Sequence, residues 1–172
     1  LAALLMIGTQ AGFTFSGLKD FMASGRELAH AELIGALLIA GFGTLISLFP
    51  FHSWAAPAYA SAPAPVAMMH AGVLKKFGLY GLFMFQPLME TGFLPWTNIL
   101  LVLLVCNVIW VGYVTVNQKR LDLLLGNSSV MHMGYIFLAF AALVVSGSAE
   151  ANPWALKGAA LLMLAHGLTI AL

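Results

Sequence analysis

Apolar residues in this chain form long runs that short polar segments separate. One short run and five long ones cover residues 1–7, 32–54, 65–85, 97–117, 123–145 and 155–172. A run of about 20 apolar residues matches the length that an α-helix needs to cross a bilayer. The pattern therefore predicts one membrane domain over residues 1–172, with five spans and part of a sixth.

The composition excludes a soluble domain. Hydrophobic residues make up 62% of the chain, charged residues make up 8%, and the mean hydropathy is +0.97. A soluble protein carries about 25% charged residues, so this chain has too few to cover a water-facing surface. The net charge of +1 provides no basic patch for nucleic acid. We predict an all-α polytopic membrane helix bundle.

The apolar runs at the two ends of the chain are incomplete. The first residues, LAALLMIG, read as the tail of a preceding membrane helix, and the last residues, AHGLTIAL, lie inside a span. We expect both ends to continue into a longer protein. Some partners of the residues discussed below would then lie outside this sequence.

Prolines interrupt the apolar pattern near its centre. The run that starts at residue 32 contains Pro50, and a proline removes a helix hydrogen bond, so we expect a broken helix there. A Pro/Ala-rich turn over 55–64 follows, and the next helix begins at residue 65. Upstream, the segment FSGLKDFMASG within the polar connection 8–31 is expected to form a short interfacial helix.

The charges of the short loops predict the orientation. The turn QKRLD carries Lys119 and Arg120, whereas the loops before and after it carry Glu90 and Glu150. Loops rich in lysine and arginine remain in the cytoplasm. This turn is therefore predicted to be cytoplasmic, and by alternation so is the turn at 55–64.

Two adjacent lysines, Lys75 and Lys76, lie far from either end of a predicted span. A lysine within a membrane costs a few kcal/mol on insertion scales, and such a residue usually faces other helices or water. Lys76 is our first candidate for a proton-binding residue, and Lys75 is a secondary one. The alternative is structural: one lysine snorkels and the other neutralises a carboxylate of a neighbouring helix.

Histidines within the last two spans are candidates for proton transfer. His132 shares a helix face with Ser128 and Ser129, and His166 lies in the last run. Histidine exchanges protons near neutral pH, but each of these histidines could instead be hydrogen-bonded to a neighbouring helix for structure alone. His52 could bond backbone carbonyls that the break near Pro50 frees, so it is a secondary candidate, as is Ser128.

No motif in the chain points to chemistry on a bound substrate. The sequence contains no metal-ligand spacing, no Gly-rich phosphate loop and no nucleophile triad, so we assign no catalytic residue and no metal site.

Four spaced motifs resemble a known family. They are PFHSW followed by the Pro/Ala turn, then AGVLKKFGLYG, SSVMHMGY and LLMLAHGL, in unbroken order from about residue 36 onward. Together they resemble the antiporter-like proton-translocating membrane subunits of respiratory complex I, most closely subunit M (chain 4). The resemblance implies a bundle of about fourteen spans with two inverted repeats, each containing a broken helix.

The resemblance also implies a function and residue roles. Lys76 matches the family lysine of the AGxLLKxGxYG motif, and His132 and His166 match the histidines of SSVxHMG and AHGL. Protons would move along a line of such residues, coupled to quinone reduction elsewhere in the complex. NADH, FMN, iron–sulfur clusters and quinone would be bound by partner subunits and none by this chain. The chain would lie in a bacterial cytoplasmic membrane beside other membrane-arm subunits.

Three departures from the family pattern keep other functions open. Leu45 stands where the family has a lysine, and Ser47 replaces the first proline of the broken helix. After the tryptophan the family has Leu-Pro-Asp-Ala-His, whereas this chain has AAPAY. The family's Asp-x-Lys-Arg-Leu turn reads QKRLD. The alternatives are a subunit of a multi-subunit Na⁺/H⁺ antiporter or related ion-coupled transporter, and a structural paralogue that no longer pumps.

Overall fold

The computed structural model describes residues 1–88, 90–147 and 152–171, and for residues 90, 91 and 171 it describes the backbone alone. Helices make up nearly all of this part of the chain, in the following order. They are α1 (Ala2–Ala11), α2 (Phe15–Ala23), α3 (Ala31–Ile46), α4 (Ala55–Ser61), α5 (Ala64–Met69), α6 (Lys75–Phe85), α7 (Glu90–Phe93), α8 (Thr97–Cys106), α9 (Gly112–Val116), α10 (Leu121–Ser146) and α11 (Pro153–Ala171).

Short segments of other helical geometry join several of these elements. A π-helical segment, His70–Leu74, connects α5 to α6, so that helical backbone continues from residue 64 to residue 85. Helical backbone also continues from α7 to α8 through a 3₁₀ turn, Leu94–Trp96. It continues from α8 to α9 through a second π segment, Asn107–Val111. Two stretches, Leu94–Val116 and Leu121–Ser146, are long and apolar enough to cross a membrane, with mean hydropathies of 2.5 and 1.8.

The long helix α10 lies at the centre of the packing and contacts α4, α6, α8, α9 and α11. Its inward face buries Met133, Ile136, Phe137 and Phe140. The Phe140 ring meets three other phenylalanine rings edge to face, and their centroids lie 5.3–5.7 Å away. Many large apolar side chains elsewhere point outward, as expected for a surface that faces lipid.

The helix break occurs earlier than Pro50. We predicted an apolar helix over 32–54 that breaks near the proline, but α3 ends at Ile46. Ser47 adopts the left-handed conformation, with φ 66°, and its N–H donates to the Thr44 carbonyl at 3.1 Å. The Leu48 N–H donates to the Gly43 carbonyl at 2.7 Å. These two bonds form a Schellman cap, which ends the helix before the proline is reached.

The Pro/Ala segment is partly helical, which corrects the prediction of a turn over 55–64. Ala55–Ser61 forms α4, and Pro57 lies in its first turn. The first backbone N–H groups of a helix have no partner within the helix, so a proline costs little there. The predicted loop after Pro87 likewise contains the short helix Glu90–Phe93 and the 3₁₀ turn that follows it.

The segment FSGLKDFMASG forms a helix, α2, as predicted. The Thr14 hydroxyl caps its first turn by accepting from the Gly17 N–H at 3.1 Å. The membrane topology itself stays a prediction. Of the residues used for it, the side chain of Glu90, the whole of Glu150 and Leu172 at the end of the last span lie outside what the structure describes.

Candidate functional site: a buried cluster of lysines and histidines

The two histidines of the last spans lie against each other. The rings of His132 on α10 and His166 on α11 are stacked, with centroids 5.2 Å apart and planes inclined by 15°. His132 Nδ1 lies 2.7 Å from the Ser128 carbonyl oxygen, which can only accept, so this nitrogen carries the hydrogen. The Ser129 hydroxyl lies 3.1 Å from His166 Nε2. Ser129 is fully buried, and His166 is 7% exposed.

The two lysines are buried, and their surroundings differ. Lys76 Nζ donates to the carbonyl oxygen of Ala71 in the preceding turn. Lys75 is fully buried, its Nζ lies 4.9 Å from the centroid of the Tyr59 ring, and it has no hydrogen-bond partner among the described residues. Within the same part of the chain neither lysine forms a salt bridge, so the predicted neutralisation by a neighbouring carboxylate is not seen there.

The π segment His70–Leu74 places His70 and Lys75 around one tyrosine. A π turn inserts an extra residue into the helix and changes which side chains share a face. His70 Nδ1 lies 3.0 Å from the Tyr59 hydroxyl, and the Lys75 ammonium lies over the ring of the same tyrosine. The edge of the Trp54 ring completes the contact with His70, with the centroids 5.6 Å apart. Neither Tyr59 nor the π turn was predicted from the sequence.

The cluster is rich in groups that carry positive charge. Lys75 and Lys76 are neighbours in sequence, and the π segment before them meets α11 where Gly72 lies against Gly167, the residue after His166. Like charges in a buried site disfavour one another. Positive charges on several members of this cluster at once would therefore repel one another.

A buried asparagine holds the helix break against the core. The backbone N–H of Phe49 donates to Asn107 Oδ1 at 3.2 Å, and Asn107 Nδ2 donates to the Val130 carbonyl at 3.1 Å. Asn107 is completely buried in the second π segment. His52, a secondary candidate, lies at the break, where its ring stacks on Phe49 with the centroids 5.3 Å apart.

A cavity of about 350 Å³ lies between α4, α5, α10 and α11. Asp122, whose carboxylate accepts from the Arg120 guanidinium at 2.5 Å, is part of its lining. Its wall also includes Tyr59 and Ala71, the two residues that contact the lysines. The full lining is Tyr59, Ala60, Ala62, Ala64, Ala67, Met68, Ala71, Asp122, Leu125, Gly126 and Ile170. The volume is enough for several water molecules, each of which occupies about 30 Å³.

The structure thus brings together four of the candidate residues from the sequence, Lys75, Lys76, His132 and His166. Ser128 contacts His132 mainly through its backbone carbonyl, because its hydroxyl is 3.4 Å from the ring. In the described ranges, no three histidine, cysteine, aspartate or glutamate residues lie close enough to hold a metal ion. The chemistry that this arrangement offers is proton exchange.

Comparison with known proteins identifies the family. A family model described as "NADH:quinone oxidoreductase/Mrp antiporter, TM" matches residues 1–172. The chain belongs to this family. As a member, it is an integral membrane protein with an antiporter-like helical fold.

Curated cyanobacterial proteins named as chain 4 of NAD(P)H-quinone oxidoreductase are similar to the chain. It is 37% identical to the protein from Synechocystis sp. over 156 residues, which is 90% of this chain and 26% of that protein. The Thermosynechococcus vestitus protein is 37% identical over 156 residues, or 90% and 27% of the two chains. The Microcystis aeruginosa protein is 35% identical over 156 residues, or 90% and 26%. The chain thus spans about a quarter of the length of these relatives.

Leu45, which stands where the family lysine was expected, lies one residue before the end of α3. Its side chain is 38% exposed, and Ile46 beside it is fully buried. The described residues therefore give position 45 an outward-facing apolar side chain. The buried lysines come from α6 instead.

Proposed function

We propose that this protein conducts protons across a membrane as a membrane-arm subunit of an NADH–quinone oxidoreductase-like complex. The observation that carries the proposal is the buried set of proton-exchanging groups at the junction of α6, α10 and α11. Lys76, His132 and His166 are the proton-transfer residues of this proposal, with Lys75, His52 and Ser128 in secondary roles. The relatives' name, chain 4 of an NAD(P)H-quinone oxidoreductase, supports it.

In this proposal the redox chemistry takes place in other subunits. NADH, FMN, iron–sulfur clusters and quinone would be bound by partners, and the neighbours of this chain would be other membrane-arm subunits. The chain's own residues would bind and release protons when the charge of one group changes the proton affinity of the next. A bacterial cytoplasmic membrane, with the turn QKRLD on the cytoplasmic side, is the proposed location.

Two alternatives are each favoured by one observation. The matching family also includes Mrp antiporters, which favours a subunit of a multi-subunit Na⁺/H⁺ antiporter or related ion-coupled transporter. Leu45 cannot hold a proton, which favours a structural paralogue that no longer pumps.

Purification of the protein from its native membranes in mild detergent, with mass spectrometry of the copurifying proteins, tests the proposal. We expect subunits that carry flavin and iron–sulfur clusters. Copurification with membrane subunits alone would contradict the respiratory assignment and favour the antiporter. Deleting the gene also separates the respiratory assignment from the antiporter. Inhibited respiration would support the respiratory assignment, and sensitivity to sodium or alkali would support the antiporter.

A further inference from the structure

The ammonium of Lys75 is buried without an ordinary polar partner. Its side chain is 0% exposed, and among the described residues its Nζ has neither a hydrogen-bond acceptor nor a carboxylate partner. Burying a charge without compensation is costly. A group from another segment or subunit could reach this ammonium only by displacing the residues that cover it. A stabilising partner for its charge is therefore to be sought among the groups that already surround it.

The aromatic ring of Tyr59 is such a group. Lys75 Nζ lies over this ring, 4.9 Å from its centroid. An ammonium within about 6 Å of the centroid of an aromatic face is attracted by the quadrupole of the ring, and the attraction is larger where water is excluded. The burial of Lys75 therefore strengthens the one contact that compensates its charge.

Contacts on two sides fix the position of the Tyr59 ring. Tyr59 extends from the last turn of α4, and its hydroxyl lies 3.0 Å from His70 Nδ1. The two rings also meet edge to face, with centroids 5.4 Å apart and planes inclined by 63°. Toward α10 the ring packs at Gly126, where a Cβ atom would lie 3.2 Å from Tyr59 Cδ2. The ring face is thus held in place before the lysine is considered.

Trp54 connects this arrangement to the end of α3. The Trp54 ring meets the His70 ring edge to face, with centroids 5.6 Å apart and planes inclined by 85°. Its Nε1 donates to the Thr44 carbonyl at 3.3 Å. Three aromatic side chains, Trp54, Tyr59 and His70, therefore join the end of α3 to the ammonium on α6.

We propose that Tyr59 is the positioning residue for Lys75, with the face of its ring in the place that a carboxylate would otherwise take. The inference rests on the proposed function, in which Lys75 has a secondary role in proton transfer. The ring holds the charged lysine, and the hydroxyl serves only to hold the ring against His70. Position 59 thus requires an aromatic face. Lys76 donates to the Ala71 carbonyl instead, so a substitution at position 59 acts through Lys75.

Proton translocation by the full-length protein in native membrane vesicles tests the requirement for a ring. Tyr59→Phe keeps the aromatic face and should retain most of the rate. Tyr59→Leu removes the face, so the rate should fall at least about fivefold at an equal level of assembled protein. Tyr80→Leu is the matched control, because Tyr80 is a 58% exposed tyrosine on the same helix as Lys75, and it should leave the rate unchanged. A normal rate in Tyr59→Leu, or an equal loss in Tyr59→Phe and Tyr59→Leu, would overturn the proposal.

A double-mutant cycle separates the contact with the ammonium from ordinary packing of the ring. Thermal unfolding in detergent is measured for Tyr59→Leu in the unaltered protein and in Lys75→Met. Tyr59→Leu should lower the unfolding midpoint more when Lys75 is present, because without the ammonium the ring has only its packing to lose. Equal shifts in the two backgrounds would overturn the proposal.

Nuclear magnetic resonance of the protein with labelled lysine gives a readout that needs no transport. The ε-methylene protons of a lysine held over an aromatic face resonate upfield, and the Lys75 signal is identified by its loss in Lys75→Met. Tyr59→Leu should abolish this upfield shift, whereas Tyr59→Phe should keep it. A signal that is the same in both variants would overturn the proposal. If the unaltered protein translocates no protons, the proposed function fails, and the cycle and these spectra still decide whether Tyr59 positions Lys75.

Discussion

The imidazole rings of His132 and His166 are stacked, with their centroids 5.2 Å apart, although the residues belong to different helices. Two imidazolium cations at this distance would repel each other. Each ring also has its own serine: Ser128 supplies a backbone carbonyl to His132, and Ser129 supplies a hydroxyl to His166. The two serines therefore have different roles in any proton transfer.

Replacing these two serines by alanine should have unequal effects. Ser129→Ala removes the hydroxyl at His166 and leaves this buried ring without that partner, so proton translocation should fall by about tenfold or more. Ser128→Ala keeps the backbone carbonyl that binds His132 and should retain most of the rate. Proton uptake by vesicles that contain each variant measures the difference. Equal rates in the two variants would contradict a specific role for Ser129.

Asn107 should contribute to stability more than its place in an apolar run suggests. Asn107→Ala leaves the Phe49 N–H and the Val130 carbonyl without their amide partner, which should lower the free energy of unfolding by about 1–3 kcal/mol. Asn117→Ala is the control, since Asn117 is exposed and bonds only within its own helix at Tyr113. Thermal unfolding in detergent compares the two. A loss no larger than that of the control would show that Asn107 does not hold the break.

The left-handed residue at the end of α3 gives opposite expectations for two substitutions. Ser47→Gly removes the strain of φ 66° and should stabilise the protein by about 1 kcal/mol. Ser47→Pro imposes a negative φ and removes the N–H that donates to Thr44, so it should destabilise by about 3 kcal/mol or more. Ser53→Gly, at an exposed position of the same loop with a negative φ, should bring no gain. Unfolding midpoints in detergent test the order Ser47→Gly, Ser53→Gly, Ser47→Pro.

Local patterns were enough to predict the parts of the fold that depend on neighbours in sequence. The apolar run at 123–145 corresponds to α10, and the spacing of four residues between Ser128 and His132 correctly placed them on one face. The end of α3 was predicted too late because a Schellman cap depends on the backbone of Ser47, whose residue type gives no hint of it.

Contacts between distant residues could not be predicted in the same way. The bond from Phe49 to Asn107 joins positions 58 residues apart, and Tyr59 on α4 meets His70 and Lys75 on the next stretch of helix. Two signals were present in the sequence. Asn107 is an amide in an otherwise apolar run, and Tyr59 replaces the histidine of the family motif.

The most direct test is proton translocation by Lys76→Ala in vesicles that contain the assembled complex. Lys157→Ala serves as the control, because Lys157 is an exposed lysine whose Nζ lies 5.5 Å from the Trp154 ring centroid. We expect Lys76→Ala to assemble normally and to translocate protons at no more than about a tenth of the control rate, since the variant lacks the proton-binding amine. Equal translocation by the two variants, with equal assembly, would contradict the role of Lys76 and the proton path built on it.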